Sequence, residues 1–423
     1  MSVLLGSEPF PASLKSLCDR AWVVGALGLV LCLALLFVDR TRSLMLPAYL
    51  IGFVFWFGIA MGGTSLTMLH HLTGGSWGLL ARRPLEAASM VILPLAILFL
   101  PIALGIRQLY PWMNPNDPFE HEIQKKVLYL NAVGFWARSA GFFLIWGVIA
   151  VVLNRLSRAQ DTSPTREPTR WLQALSAPGL GLVFLTGSFA SIDWLMSLEP
   201  EWSSSIYPAM LITGWGLATW SCVILVVGAL RRTQPMEKVA TPSRFQDIAS
   251  LTLAFVMLWA YTSFMQYLII WSGNLTEEIP WYLRRVRGGW QYFAFALILF
   301  HFFTPFFLLL SRVVKRRAPK LMTLALFILL MHLIDGMWLV LPAQMREPLA
   351  TPSIPWIQVA LSLLATGSIG GICIGFYLTF LQQSSLVPVN DPAADVLEQA
   401  DDDHDEDDEI VVHGAPHRRG AQV

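Results

Sequence analysis

Residues 266–290 read QYLIIWSGNLTEEIPWYLRRVRGGW. An apolar segment runs out at Trp271, turns through Ser272, Gly273 and Asn274, and meets Glu277 and Glu278. Pro280, Trp281 and Tyr282 follow, then Arg284, Arg285 and Arg287, and Gly288-Gly289-Trp290 opens the next apolar run. A loop in water has no use for this density of tryptophan, tyrosine and leucine. At a membrane–water boundary the same rings place an apolar body in hydrocarbon and a polar tip in the headgroups. The stretch therefore reads as a corner between two transmembrane helices, anchored by aromatic and basic residues. Acids beside arginines at such a corner also suit the rim of a polar path into the membrane.

The composition agrees with that reading. Hydrophobic residues make up 55% of the 423 and charged residues only 14%, with 17 tryptophans. Soluble domains carry about 25% charged residues, so the class is a polytopic membrane protein whose solvent is lipid, and nucleic acid is not an expected partner. The formal charge of zero hides a division: residues 391–409 hold 11 acids, and residues 1–390 carry 27 basic against 18 acidic side chains. Cys18, Cys32, Cys222 and Cys373 are scattered, without CxxC or CxxCH. No iron–sulfur cluster, haem, structural zinc or disulfide framework is expected from them. The first apolar run, 21–38, ends in Asp39-Arg40 without a small-residue cleavage site, which marks a retained helix rather than a signal peptide.

A membrane span needs about 20 mostly apolar residues. Ten stretches qualify: 21–38, 45–71, 85–105, 130–153, 178–198, 206–230, 247–271, 288–311, 319–341 and 356–381. The side holding the N-terminal segment, the even-numbered loops and the tail carries 19 lysines and arginines, the odd-numbered loops 9, and Arg138 lies inside a span. The positive-inside rule then places both termini in the cytoplasm and, in a bacterial inner membrane, the 266–290 corner in the periplasm. Residues 106–129 read as a long periplasmic connection with a short interfacial helix, and 155–176 and 231–246 as polar cytoplasmic loops with four basic residues each. The organisation is a cytoplasmic segment over 1–20, a membrane domain over 21–385 and an acidic tail over 386–423 that cannot bury a core.

A short internal repeat is visible. IDWLMSLEP (192–200) and IDGMWLVLP (334–342) each place Ile before Asp and a proline seven residues after it. YPWMNP (110–115) lies in the long third loop and IPWYLR (279–284) in the seventh. A spacing of four spans predicts an all-α fold of two four-helix bundles, spans 2–5 and 6–9, with the first and last spans peripheral. The repeat also predicts that Asp193 and Asp335 occupy corresponding positions.

Ionisable side chains inside spans cost about 2.5–3.5 kcal/mol on insertion scales, so each needs a partner or a function. Arg138 and Asp193 both fall 15 residues from the cytoplasmic ends of spans 4 and 5, at one depth on antiparallel helices, and are expected to pair. His301 lies 10 residues from the cytoplasmic end of span 8, and His332 lies 13 from that of span 9. Asp335, at i+3 from His332, shares its face. Tyr261 and Gln266 on span 7 extend this polar line toward Glu277 and Glu278, giving a candidate proton path. Nearer the cytoplasm, His70, His71 and Glu86 around the second loop, with Asp247 at the start of span 7, are candidate inner mouths of the two bundles. A structural ion pair and hydrogen-bonded core histidines are the plainer readings of the same residues.

Three stretches carry a resemblance: LIIWSGNLTEEIPWYLRR (268–285), ASIDWLMSLEPEWSSSIYPAM (190–210) and LHHLTGGSWG (69–78). Over roughly residues 20–385 the chain resembles the NrfD/PsrC-like family of membrane subunits, in particular the ActF-type subunits of alternative complex III, the bacterial quinol:cytochrome c oxidoreductase. The resemblance implies the two-bundle plan. It also implies partners: a paralogous NrfD-like subunit (ActC), an iron–sulfur subunit, c-type haem subunits, small membrane subunits and a downstream terminal oxidase. It places quinol oxidation mainly in the paralogue and leaves open whether this chain binds quinone. The role implied here is accessory: an anchor and a proton path coupled to chemistry elsewhere. The alternatives are a quinone-binding anchor of a polysulfide- or DMSO-reductase-type complex, a haem b protein ligated by His301 and His332, and a secondary transporter. The last would show spans broken near the midplane, and LTLAFVMLWAYTSFMQYLII (251–270) runs continuously.

Overall fold

The computed structural model describes residues 11–114, 120–162, 165–344, 354–388 and 390. Among them ten helices are long and apolar enough to cross a membrane: α1 (Ala12–Phe37), α2 (Asp39–Thr73), α3 (Trp77–Leu104), α4 (Ala132–Thr162), α5 (Glu167–Leu198), α6 (Tyr207–Leu230), α7 (Pro242–Gly273), α8 (Trp290–Leu310), α9 (Ala318–Gln344) and α10 (Trp356–Gln382). They form two bundles, α2–α5 and α6–α9, with α1 and α10 packed on each other and on α2 at the periphery. The start of α1, the end of α10 and the connections at 74–76, 165–166, 231–241 and 311–317 lie on one side, here the basic face. The opposite side, with the connections at 199–206 and 274–289, is the aromatic face. The acidic run of 391–409 lies outside the described residues.

Composition explains where each helix goes. α2 is buried over most of its length because both bundles and α10 cover it. Thr219 of α6 donates to the Ile59 carbonyl of α2 at 3.1 Å across the bundle boundary. α1 and α10 meet at Gly25 and Gly371, where a Cβ on either residue would stand 2.5 Å from the opposing backbone. Small residues at such crossings let two membrane helices approach within van der Waals reach. Gly74 (φ 68°) and Gly75 (φ 108°) turn the chain from α2 into α3 through left-handed backbone that a side chain would strain.

Four helices depart from the expected spans in length or regularity. α3 begins at Trp77 rather than 85, so Arg82 and Arg83 lie within the helix and not in a basic loop. They are drawn in by partners: Arg82 donates to Glu86 (2.8 Å), Ser157 (2.9 Å) and Gln160 (2.6 Å), and Arg83 to Glu86 (2.7 Å) and Asp161 (2.5 Å). α4 and α5 extend to Thr162 and back to Glu167, turning most of the 155–176 loop into helix. α8 is the fourth, with a π-helical segment at Leu297–Phe303. Pro305 has no N–H for the carbonyl four residues back, at His301, and beside it the Thr304 hydroxyl donates to the Leu299 carbonyl at 2.9 Å. The expected short helix of the long connection is present at Glu120–Lys125.

The repeat is approximate. Asp193 stands one residue before its α-helix ends at Trp194, Asp335 five before Val340, and each helix continues into a 3-10 turn, Met196–Leu198 or Pro342–Gln344. Asp335 therefore lies four residues further inside its α-helix than Asp193 does, although each stands seven residues before a proline.

Candidate functional site

His332 and Asp335 project from one face of α9, and the π-helical segment of α8 aims His301 at them. One ligand atom from each of the three lies within 4.8 Å of the others. The two imidazole rings stand 6.1 Å apart at 20°. Trp259 of α7 closes a third side, donating its indole N–H to Asp335 at 3.2 Å and setting its ring edge-on to His301 at 4.3 Å. His301 is fully buried, and among the described residues neither of its ring nitrogens has a hydrogen-bond partner; nor has Nδ1 of His332. Leaving buried donors and acceptors unmet costs about 1–3 kcal/mol each, so these ring nitrogens call for a further hydrogen-bond partner. A cavity of about 30 Å³ adjoins it, bounded by His332, Asp335, Gly336, Phe55 and Leu195 where the bundles meet. That is room for one water.

The donor set also suits a divalent cation, with two imidazoles and a carboxylate. Metal bonds of about 2.0–2.1 Å would draw the ligands closer than the outer limit of their spacing here. For a haem between the two histidines the neighbouring cavity is far too small.

The other candidates divide. Gln266 is buried on the same face of α7 as Trp259 and accepts from Ser204 at 2.6 Å. Tyr261 does not join: it is 57% exposed on the outer side of α7, because two residues from Trp259 is about 200° around a helix. Glu277 is exposed and Glu278 half-buried, and neither has a hydrogen bond or ion pair to the cluster among the described residues. The acids that reach this end of the second bundle are Glu199 and Glu201, from the end of α5. Arg285, fully buried, donates to both oxygens of Glu199 (2.5 and 3.3 Å) and to the Leu339 carbonyl (2.8 Å), with its guanidinium 3.8 Å above the Trp281 ring. Arg284 bridges Glu199 at 2.8 Å and Glu201 at 2.9 Å. Burial works against the Arg284 charge, but Glu199 and then Glu201 more than offset it, so its pKa stands above the ordinary value. Trp202 stacks on Trp281 at 4.7 Å. The stretches 190–210 and 268–285 therefore pack against each other and tie the two bundles together.

In the first bundle Arg138 grips Asp193 through two bonds, at 2.7 and 3.0 Å, with Tyr129 beneath the guanidinium at 4.0 Å. Burial first, and the Asp193 carboxylate second, hold the Tyr129 phenol well above its usual range. Toward the basic face, His71 meets Ser176 at 3.1 Å, His70 packs on Trp77, Asp247 accepts from Ser76 at 3.3 Å, and Glu86 is enclosed by Arg82 and Arg83. Sequence reasoning missed Trp259, Glu199, Glu201 and the Arg82–Arg83–Asp161 group as site residues. A signal existed for Glu199 and Glu201, since both lie in SLEPEW at the end of an apolar span.

Fold and clusters together define a polytopic all-α membrane protein that holds ionisable groups inside both of its helix bundles. A scan of protein-family models and a search of curated proteins each return no match for the chain.

Proposed function

We propose that the chain is an accessory membrane subunit of a bacterial respiratory quinol oxidoreductase of the alternative complex III type. It anchors the complex and carries protons through its second bundle, coupled to quinol oxidation in a neighbouring subunit. Both termini then face the cytoplasm and the aromatic face looks to the periplasm, where iron–sulfur and c-type haem partners dock. The observation that supports a proton path is the His301–His332–Asp335 cluster: His301 and Asp335 are buried and His332 is half-buried, one ligand atom of each lies within 4.8 Å of the others, and among the described residues ring nitrogens of both histidines lack hydrogen-bond partners. A buried carboxylate committed to an arginine would hold its charge; one facing two histidines and space for a water can trade protons with them. Resemblance in the motifs, not the cluster, supports the particular complex.

The test is Asp335→Asn in the purified complex reconstituted into vesicles. The change keeps shape and removes the titrating carboxylate. Proton translocation per electron should fall while assembly and cofactor content hold. Unchanged proton movement in that variant would end this reading.

A further inference from the structure

An apolar groove of about 450 Å³ lies on the outside of the molecule between α1, α6, α9 and α10, floored by Phe55 and Trp56 of α2. Its size falls in the range of ligand pockets, about 300–1,000 Å³. It begins near the basic face, at Leu14 of α1 and Ala229 of α6, and reaches inward to Phe55 and Leu333. Those two residues also line the small cavity beside His332 and Asp335. Leu17, Leu326 and Leu330 on its rim are exposed, so the groove opens sideways to the bilayer.

Hydrocarbon fills any such groove; two features make this one selective. The first is Tyr377. Its side chain is only 7% exposed, it lines the groove, and among the described residues its hydroxyl has no hydrogen-bond partner. Tyr377 stands five residues before α10 ends at Gln382, about 7–8 Å beneath the basic face at ~1.5 Å per residue. An occupant with an acceptor at that depth would satisfy the phenol. The second is Arg231, half-exposed just past the end of α6. It donates to the Gly228 carbonyl and touches the Met322 sulfur at 3.8 Å, which holds it between α6 and α9, one helical turn from Leu326 on the rim. Lys15 and Arg20, with Asp19 between them, add a net positive charge on exposed positions of α1 beside Leu14 and Leu17.

From the basic face inward the order is cation, hydrogen-bond donor, apolar slot. We propose that the groove holds one acyl chain of an anionic phospholipid, whose phosphate meets Arg231 and whose ester carbonyl accepts from Tyr377. The guanidinium fork suits a phosphate. The end of the chain, at Phe55 and Leu333, closes the polar cavity of the second bundle against the bilayer.

The test is native mass spectrometry of the full chain released from nanodiscs holding equal phosphatidylglycerol and phosphatidylcholine. Wild type should keep one phosphatidylglycerol per chain. Arg231→Gln should lower the preference for phosphatidylglycerol roughly tenfold, the loss of one charge-assisted contact. Tyr377→Phe should weaken retention of both lipids alike, because both carry the ester. An Ala229→Phe variant, which narrows the mouth of the slot, should lower retention of both lipids. The proposal is overturned if wild type retains no phospholipid, if a quinone is retained in its place, or if Arg231→Gln leaves the preference intact.

Discussion

In the first bundle both oxygens of Asp193 are taken by Arg138, at 2.7 and 3.0 Å, and the space below is filled by Phe53, Phe57, Phe99, Phe143, Trp146 and Trp194. In the second, Asp335 has one indole N–H at 3.2 Å and faces two histidines beside a water-sized cavity. Even the indoles differ. Trp146 and Trp194 donate to Thr186 and Ser139 and so hold their own bundle together, whereas Trp259 donates to the ionisable group itself. The lesson is that a membrane-buried aspartate says little until its partner is known. Fixed to a guanidinium it is a strut; left among imidazoles it is an exchangeable acid.

That contrast predicts that damage to the first bundle is read as stability and damage to the second as function. The largest loss should follow Trp194→Ala, which empties a site packed by five aromatic rings and strips Ser139 of its donor. We expect about 3–5 kcal/mol, seen as a lowered unfolding midpoint in mild detergent. A loss under ~1 kcal/mol would show that the first bundle is no more firmly packed than the second.

Next comes Asp193→Asn. The Arg138 side chain is 24% exposed and can recover water, so the cost should be nearer that of one charged hydrogen bond, about 1.5–3 kcal/mol. Adding Arg138→Gln should return part of it, because the surviving charge is gone. If the single change leaves stability intact but reduces proton movement, the first bundle also conducts and the contrast collapses.

Asp335→Asn should cost less than either, about 1 kcal/mol or below, since its amide oxygen can still accept the Trp259 indole N–H and the side-chain shape is kept. Its effect belongs in the vesicle assay. Destabilisation as deep as that of Trp194→Ala would mark the cluster as structural.

The sequence disclosed the ten spans and the two bundles because apolar length is a local property. It also placed Arg138 beside Asp193, since equal depth on consecutive antiparallel helices leaves little choice. Arg284 and Arg285 were harder. Glu277 and Glu278 stand nearer in the chain, yet the arginines turn to Glu199 and Glu201, whose nearness is a product of packing between bundles. Arg82 and Arg83 looked like loop cations because their partners, Ser157, Gln160 and Asp161, come from another helix. The π-helical segment that turns His301 inward was hidden for a related reason. Pro305 signals a disturbed helix, but which way the side chains rotate depends on the neighbours.

The smallest effect expected separates membership of the proton path from mere proximity to it. Tyr261 shares α7 with Trp259 and Gln266 and lies at a depth between them, so sequence spacing alone includes it in the polar line. The structure turns it outward, 57% exposed, while Trp259 and Gln266 face in. Tyr261→Phe should therefore leave stability within about 0.5 kcal/mol of wild type and proton movement unchanged. Glu278→Gln, half-buried in the loop and without an ion pair among the described residues, should behave the same way. Both variants belong in the vesicle assay used for Asp335→Asn, with quinol oxidation measured alongside. If Tyr261→Phe slows proton movement as Asp335→Asn is expected to, the path runs along the outer side of α7 and not through the bundle. The comparison would then have to be redrawn, with the His301–His332–Asp335 cluster as a strut of its own kind.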